Sequence, residues 1–371
     1  MDTRIREKLD RIDELFPAER LAKSKERWRR LWAAEKPLDR LPYIVEPMFA
    51  YYDVSPAEER LNRYLDHSIS RGFVDDDFIP SFFPGCRQGT IPSMFGAREI
   101  IAGDDYTCEK ILLGPEDAAR LPEPSLGEGT IAHEWLALAR YVAERTEGRF
   151  PVHVTDMQGP VDVAGQLWGY EDLYIAAYTQ PEVYDALLEK TTRAFIRLWK
   201  AQKEALGPLF IGTHLTGYSY LPEGFGATVS VDSLVMVSGD FYERFFRPYL
   251  TRISEEFGGL VIHSCGNFQQ LIPQLLATPN IRGLNASQMS PSQLYEAGID
   301  GRLVLISGEY YPRFEEAMQY IRSHGLRAEM TVGDFWPRRN GGLKPVQDWN
   351  DTDYDEMKRK QDHILNCMRS E

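Results

Sequence analysis

Eight short apolar runs alternating with long amphipathic segments predict an α/β chain, a (β/α)8 (TIM) barrel with an N-terminal helical extension. Two further observations favour a closed barrel over an open doubly wound sheet. The alternation keeps one pace over about 330 residues, and polar residues recur just after most apolar runs. The C-terminal ends of the strands are where such a barrel keeps its chemistry.

Residues 1–40 read as the extension. Ile5, Leu9, Ile12 and Leu15, then Leu21, Trp28, Leu31 and Trp32, recur at helical spacing among dense charges. Pro37 and Pro42 end that pattern. Residues 41–371 read as the barrel and a C-terminal helix. Its strands are expected at 43–46, 78–82, 151–156, 209–214, 260–263, 283–286, 303–306 and 328–332. Amphipathic helices are expected at 181–206, 239–257, 268–277 and 313–324, and a charged one at 351–370. The Pro/Gly-rich stretch 121–129 reads as a loop within the barrel. Glycines and aromatics at 217–226 fit either a lid over the barrel mouth or a static loop.

Composition narrows the function. The 371-residue chain has a net charge of −14, which argues against nucleic acid and anionic membrane surfaces as partners. No run approaches the ~18 apolar residues of a membrane span. The charged start Met1-Asp2-Thr3-Arg4 lacks the apolar centre of a signal peptide, so a cytoplasmic enzyme is the expectation. Cys86, Cys108, Cys265 and Cys367 are far apart and read as reduced thiols. Oligomeric state stays open, a homodimer included.

The residues after the strands supply the candidate site. Cys86 follows the second, Asp156 and Gln158 the third, His214 and Tyr218 the fourth, and His263 and Cys265 the fifth. Asn285, Ser287 and Gln288 follow the sixth, Glu309 and Tyr310 the seventh, and Glu329 and Asp334 the eighth. His263-Ser264-Cys265-Gly266-Asn267 is the most specific element. Period-two spacing turns His263 and Cys265 to one side, where a single cation can touch both. Each of the others has a structural reading as well: a hydrogen-bonded core histidine for His214, a small turn residue for Cys86, a helix cap for Asp156.

Four segments together resemble the uroporphyrinogen decarboxylase superfamily, whose barrel also houses corrinoid-dependent methyltransferases. They are Asp156-Met157-Gln158-Gly159-Pro160, Gln180-Pro181-Glu182, Asp232-Ser233 through Phe245-Phe246-Arg247-Pro248-Tyr249, and His263-Ser264-Cys265-Gly266-Asn267. The likeness runs from about residue 75 to 335 and is similar in motif to the methyltransferase branch. That branch implies zinc held by His-x-Cys and a late cysteine, a thiol made nucleophilic, and a methyl group exchanged between a small methylated substrate or thiol and a corrinoid on a partner protein.

This chain departs from that pattern. No cysteine follows Cys265 until Cys367, and the intermediate acidic position is Asn285. The late ligand is therefore expected to be an oxygen of Glu309, Glu329 or Asp334. Asp156, His214 and Tyr218 are the expected acid/base or orienting groups. Tyr218, Tyr220, Phe225, Tyr310, Tyr311 and Trp336 form either a substrate wall suited to a methylammonium cation or ordinary packing.

The superfamily's other branch implies cofactor-free decarboxylation of a tetrapyrrole or a smaller acid. It needs an aspartate near the start of the barrel, for which Asp77 is the candidate, and arginines for a polyanion, which 41–49 lacks. A non-catalytic barrel that binds a small molecule is the third reading.

Overall fold

The computed structural model describes residues 2–36, 38–48, 52–102, 105–215 and 218–369. The extension is two helices, α1 (Thr3–Leu15) and α2 (Ala18–Trp32), separated at Phe16-Pro17. Asp2 caps α1 by accepting from the Arg4 N–H. Ile5, Leu9 and Ile12 form its buried stripe, which lies against α3 (Ala57–Ser70). Pro37, expected to close the helical pattern, lies outside the described residues.

The strands are β1 (Tyr43–Val45), β2 (Glu99–Ala102), β3 (Asp105–Cys108), β4 (Val152–His153), β5 (Phe210–Ile211) and β6 (Ala227–Ser230). They continue with β7 (Leu260–Ser264), β8 (Ile281–Ala286), β9 (Val304–Tyr310), β10 (Arg327–Gly333), β11 (Arg338–Arg339) and β12 (Gly342–Leu343). Pairs β2/β3 and β11/β12 are antiparallel hairpins. The barrel proper is parallel, in the order β1-β10-β9-β8-β7-β6.

Backbone bonds close the ring. Gln158 bridges Ser230, β4 pairs with β5, Phe82 bridges Val152, and the Asp77 N–H donates to the Tyr43 carbonyl. The (β/α)8 barrel expectation therefore holds. Its strands are apolar on both faces, as parallel strands covered by helices must be.

Three elements differ from expectation. Strand β6 lies just past the 217–226 loop, where no strand is expected from the sequence, because no helix separates it from β5. The helix expected at 239–257 is two, Gly239–Phe245 and Arg247–Phe257, since Pro248 cannot donate to the preceding turn. Residues 78–82 join the ring through one bridge rather than a full ladder.

Among the described residues, the connection from β5 to β6 forms no lid over the mouth. Leu215 and Leu221 pack with Leu31, Trp32, Val261, Val304 and Ile306. The Trp32 indole covers Gly283, where an added Cβ would lie 2.8 Å from the ring, and its Nε1 donates to the Tyr220 carbonyl at 3.2 Å. Gly283 pairs with Val261 and Val304, two residues below the His263–Asn285 level. The extension thus plugs the N-terminal end of the barrel, and the loop packs on the plug. Gly226, immediately before β6, has φ 115° and lies against the Gly259 carbonyl, a crossing only glycine allows. Gly217, one of the supposed hinges, lies outside the described residues. Among those described, no helix is long and apolar enough to cross a membrane.

Candidate metal-binding site

Parallel register sets the site. Ser230, His263 and Asn285 are neighbours across β6, β7 and β8. Two residues beyond the end of β6, Asp232 swings beside the turn after β7, where its Oδ1 accepts the Cys265 N–H at 2.8 Å. His263 Nε2 then lies 3.5 Å from Cys265 Sγ and 3.7 Å from Asp232 Oδ1. The three donor atoms all fall within 4.8 Å of one another.

A tetrahedral zinc with ordinary bond lengths has ligand–ligand edges of about 3.3–3.6 Å. The His–Cys and His–Asp separations are close to that size, so the donors fit a zinc-class cation with one position open. The histidine is also held in the right tautomer. Its Nδ1 donates to Asn285 Oδ1 at 2.6 Å, and Asn285 Nδ2 donates to the Ile306 carbonyl at 2.7 Å, which fixes the amide. The lone pair of Nε2 is then free to face Cys265 and Asp232.

Burial, the largest effect, favours the neutral imidazole. The Cys265 sulfur, the Asp232 carboxylate and the Asn285 oxygen together outweigh it and raise His263 to about 9. Such a ring holds a proton where a cation would sit. The turn behind Cys265 is close-packed: Gly266, at φ 77°, would place a Cβ 2.6 Å from Val235, and its N–H donates to Gln288 Oε1. Asp162 anchors the other side, accepting from the Ser233 N–H and Oγ at 2.9 and 3.0 Å. Burial, with Asp232 nearby, pushes the Asp162 carboxyl up to about 7.

A buried polar network adjoins this set. Asp156 Oδ1 accepts from Ser230 Oγ at 2.8 Å, and Oδ2 accepts from Gln158 Nε2 at 2.8 Å. His214 Nε2 meets Ser230 Oγ at 2.9 Å, and its Nδ1 meets Thr228 Oγ1 at 3.0 Å. Burial lowers His214 to about 4, against the pull of Asp156, so the ring is neutral at pH 7. Cys86 belongs to the same neighbourhood: burial raises its thiol well above the usual range, and Asp156 and Asp232 add to that.

The remaining expected residues lie elsewhere. Glu309 pairs with Arg313 at 2.8 Å, and Asp334 with Arg338 at 2.9 Å, so neither joins His263 and Cys265. Glu329 is buried, and burial lifts its carboxyl to about 8. Asp77 is wholly buried and ion-paired to Arg27 and, at 2.7 Å, to Arg40. It ties the extension to β1. Tyr218 stacks on His67 at 5.4 Å and meets Phe78 edge-on at 4.6 Å.

The aromatic wall does not assemble. Phe225 faces Trp32, Tyr311 faces His363, Trp336 stacks on Trp349, and Tyr310 is exposed. Asp232 was not expected from the sequence as a candidate ligand. The alternating run Ala227-Thr228-Val229-Ser230 directly before it was the available signal.

Fold and donor set define the class: a parallel barrel with a metal-competent His–Cys–Asp cluster at its C-terminal strand ends. The family model described as "Uroporphyrinogen decarboxylase (URO-D)" matches residues 95–210. A structure described as "methyltransferase from Methanosarcina mazei" superposes with a TM-score of 0.64 at 15% identity, covering 92% of this chain and 98% of that one. A D-psicose 3-epimerase structure determined with D-fructose covers 68% of this chain and 84% of that one. Its TM-score of 0.30 at 9% identity carries no weight. No curated protein sequence matches. Over residues 95–210 the chain is similar to the uroporphyrinogen decarboxylase family, and its fold is shared with the methyltransferase structure.

Proposed function

We propose that this chain is a methyltransferase that moves a methyl group between a small methylated substrate or thiol and a corrinoid carried by a partner protein. His263, Cys265 and Asp232 would hold zinc. The observation that carries the reading is the pre-set donor geometry: Nε2 aimed at a thiol and a carboxylate, with Asn285 fixing the tautomer. The shared fold with a methyltransferase supports it.

Zinc in this position would lower the pKa of a thiol placed at the open coordination site, so that thiolate exists at neutral pH. The chain's own groups do the rest. Asp232 is held by the Cys265 N–H, and Cys265 is exposed to an incoming group. Neutral His214, with Ser230 and Asp156, offers a fixed set of hydrogen-bonding atoms beside the cluster. The role of this network is to orient the substrate's polar end.

Decarboxylation through Asp77 has no structural support, because two guanidiniums already occupy that carboxylate and it is wholly buried. The test joins metal content to turnover. Zinc-loaded protein with free methylcobalamin and a small thiol should consume the methyl donor, read by the corrin absorbance. Cys265→Ser and Asp232→Ala should lose both the zinc at this site and turnover. Protein without stoichiometric zinc at this site, together with unchanged activity in His263→Ala, would sink the proposal.

A further inference from the structure

A second donor set lies outside the barrel mouth, between the helix Phe314–Ser323 and the C-terminal helix Asp351–Met368. His363 and Cys367 are four residues apart, so they project from one face of the C-terminal helix. Glu315 comes from the first turn of the other helix. His363 Nε2 is 3.6 Å from Cys367 Sγ and 3.8 Å from Glu315 Oε2, and all three ligand atoms lie within 4.8 Å of one another. These spacings are near the edges of a zinc tetrahedron, about 3.3–3.6 Å.

The surroundings suit a ligand set. Glu315 Oε1 accepts from Gln319 Nε2 at 3.3 Å, which leaves Oε2 turned toward His363. The His363 ring meets Tyr311 edge-on at 5.6 Å, which restricts its rotation. One thiolate and one carboxylate would neutralise a divalent cation, on two helices that the barrel already holds side by side.

We infer that Glu315, His363 and Cys367 form a second site for a zinc-class divalent cation, one that clips the C-terminal helix to the outer helix of the barrel. Near this end the helix is otherwise anchored by buried Ile364 and Met368 and by Arg322, which donates to the Arg369 carbonyl at 2.8 Å. The cation adds a bond across the seam that apolar packing leaves to polar side chains. This inference is independent of the mouth cluster.

The test uses Cys265→Ser protein, in which the mouth cluster has lost its sulfur, titrated with zinc against a chromophoric chelator. One equivalent should bind with a dissociation constant of about 1 µM or tighter. Adding Cys367→Ser, or His363→Gln, should weaken that binding at least tenfold. Cobalt(II) should give a near-ultraviolet sulfur-to-metal absorption in the Cys265→Ser protein and lose it in Cys265→Ser/Cys367→Ser. Zinc should raise the Tm of the first and not of the second. No equivalent bound by Cys265→Ser, or binding indifferent to Cys367→Ser and His363→Gln, overturns the inference. If wild type binds only the equivalent that Cys367→Ser removes, the mouth site fails and this one stands.

Discussion

Replacing Asn285 tests the mouth cluster without touching a ligand atom. The side chain accepts from His263 Nδ1 at 2.6 Å and donates to the Ile306 carbonyl at 2.7 Å. Asn285→Leu keeps most of the volume and removes both bonds. The imidazole then loses the partner that fixes its tautomer, and its Nε2 loses basicity toward a cation. Outer partners of this kind are worth about 10–100-fold in metal affinity, or about 1.4–2.7 kcal/mol. Zinc affinity measured by chelator competition at fixed pH should fall within that range, while circular dichroism stays that of the wild type. Wild-type affinity should also fall by about tenfold for each pH unit below about 9 through His263 alone, because the ring must release its proton before it binds a cation. Asn285→Leu protein that binds zinc within twofold of wild type refutes the argument that this amide sets the site.

Asp77→Ala should destabilise the chain by about 3–5 kcal/mol in urea unfolding, since Arg27 and Arg40 lose a buried carboxylate partner. Trp32→Ala should cost about 3–5 kcal/mol in the same assay by emptying the plug over Gly283. In metal-free protein, His153 and His214 should work against folding as pH falls from about 6.5 to about 4. Burial depresses His153 and His214 to about 4, so the unfolded chain takes up protons first, with up to about 3 kcal/mol from each. His263 acts in the opposite sense: its contribution is full below about 6.5 and is lost as pH rises through about 9. The Asp162 and Glu329 carboxyls, raised to about 7 and about 8, also favour folding as pH falls and offset the histidine loss. Urea midpoints of wild type and His214→Gln at pH 7, 5.5 and 4.5 isolate the histidine part: the difference should move in the variant's favour as pH falls, and a pH-independent difference contradicts it.

The barrel was legible because parallel strands buried on both faces leave continuous apolar runs such as Leu260-Val261-Ile262, and their covering helices leave stripes such as that of 181–206. The pair His263 and Cys265 was legible because strand periodicity places both on one side. Asp232 was not, for a physical reason. Its strand is four residues long and follows β5 without a helix, so the alternation that marks the other units is missing there. Its approach to Cys265 also depends on the β6–β7 register, which local pattern does not encode. Glu309 and Asp334 stood at the right strand ends, but Arg313 and Arg338, each four residues on, claim them as ion pairs.

Asp232 also changes what the departure from a two-sulfur site means. In the methyltransferases this chain resembles, a histidine and two cysteines would leave a bound zinc with no net charge before substrate arrives. Histidine, one cysteine and one aspartate give the same sum, so the pull on an incoming thiol to ionise is kept. What differs is hardness: a carboxylate oxygen donates less electron density than a thiolate, leaving the metal the stronger Lewis acid. On the proposed reading, an incoming thiol would ionise at lower pH here than at a two-sulfur site, yet the resulting thiolate would be bound more tightly and would attack more slowly. Asp232→Cys therefore should raise zinc affinity and speed attack on a methyl donor, at the cost of needing higher pH for half-maximal rate. A pH–rate profile on that variant separates this account from one in which Asp232 serves only to hold the Cys265 turn, where the substitution would lower rate at every pH.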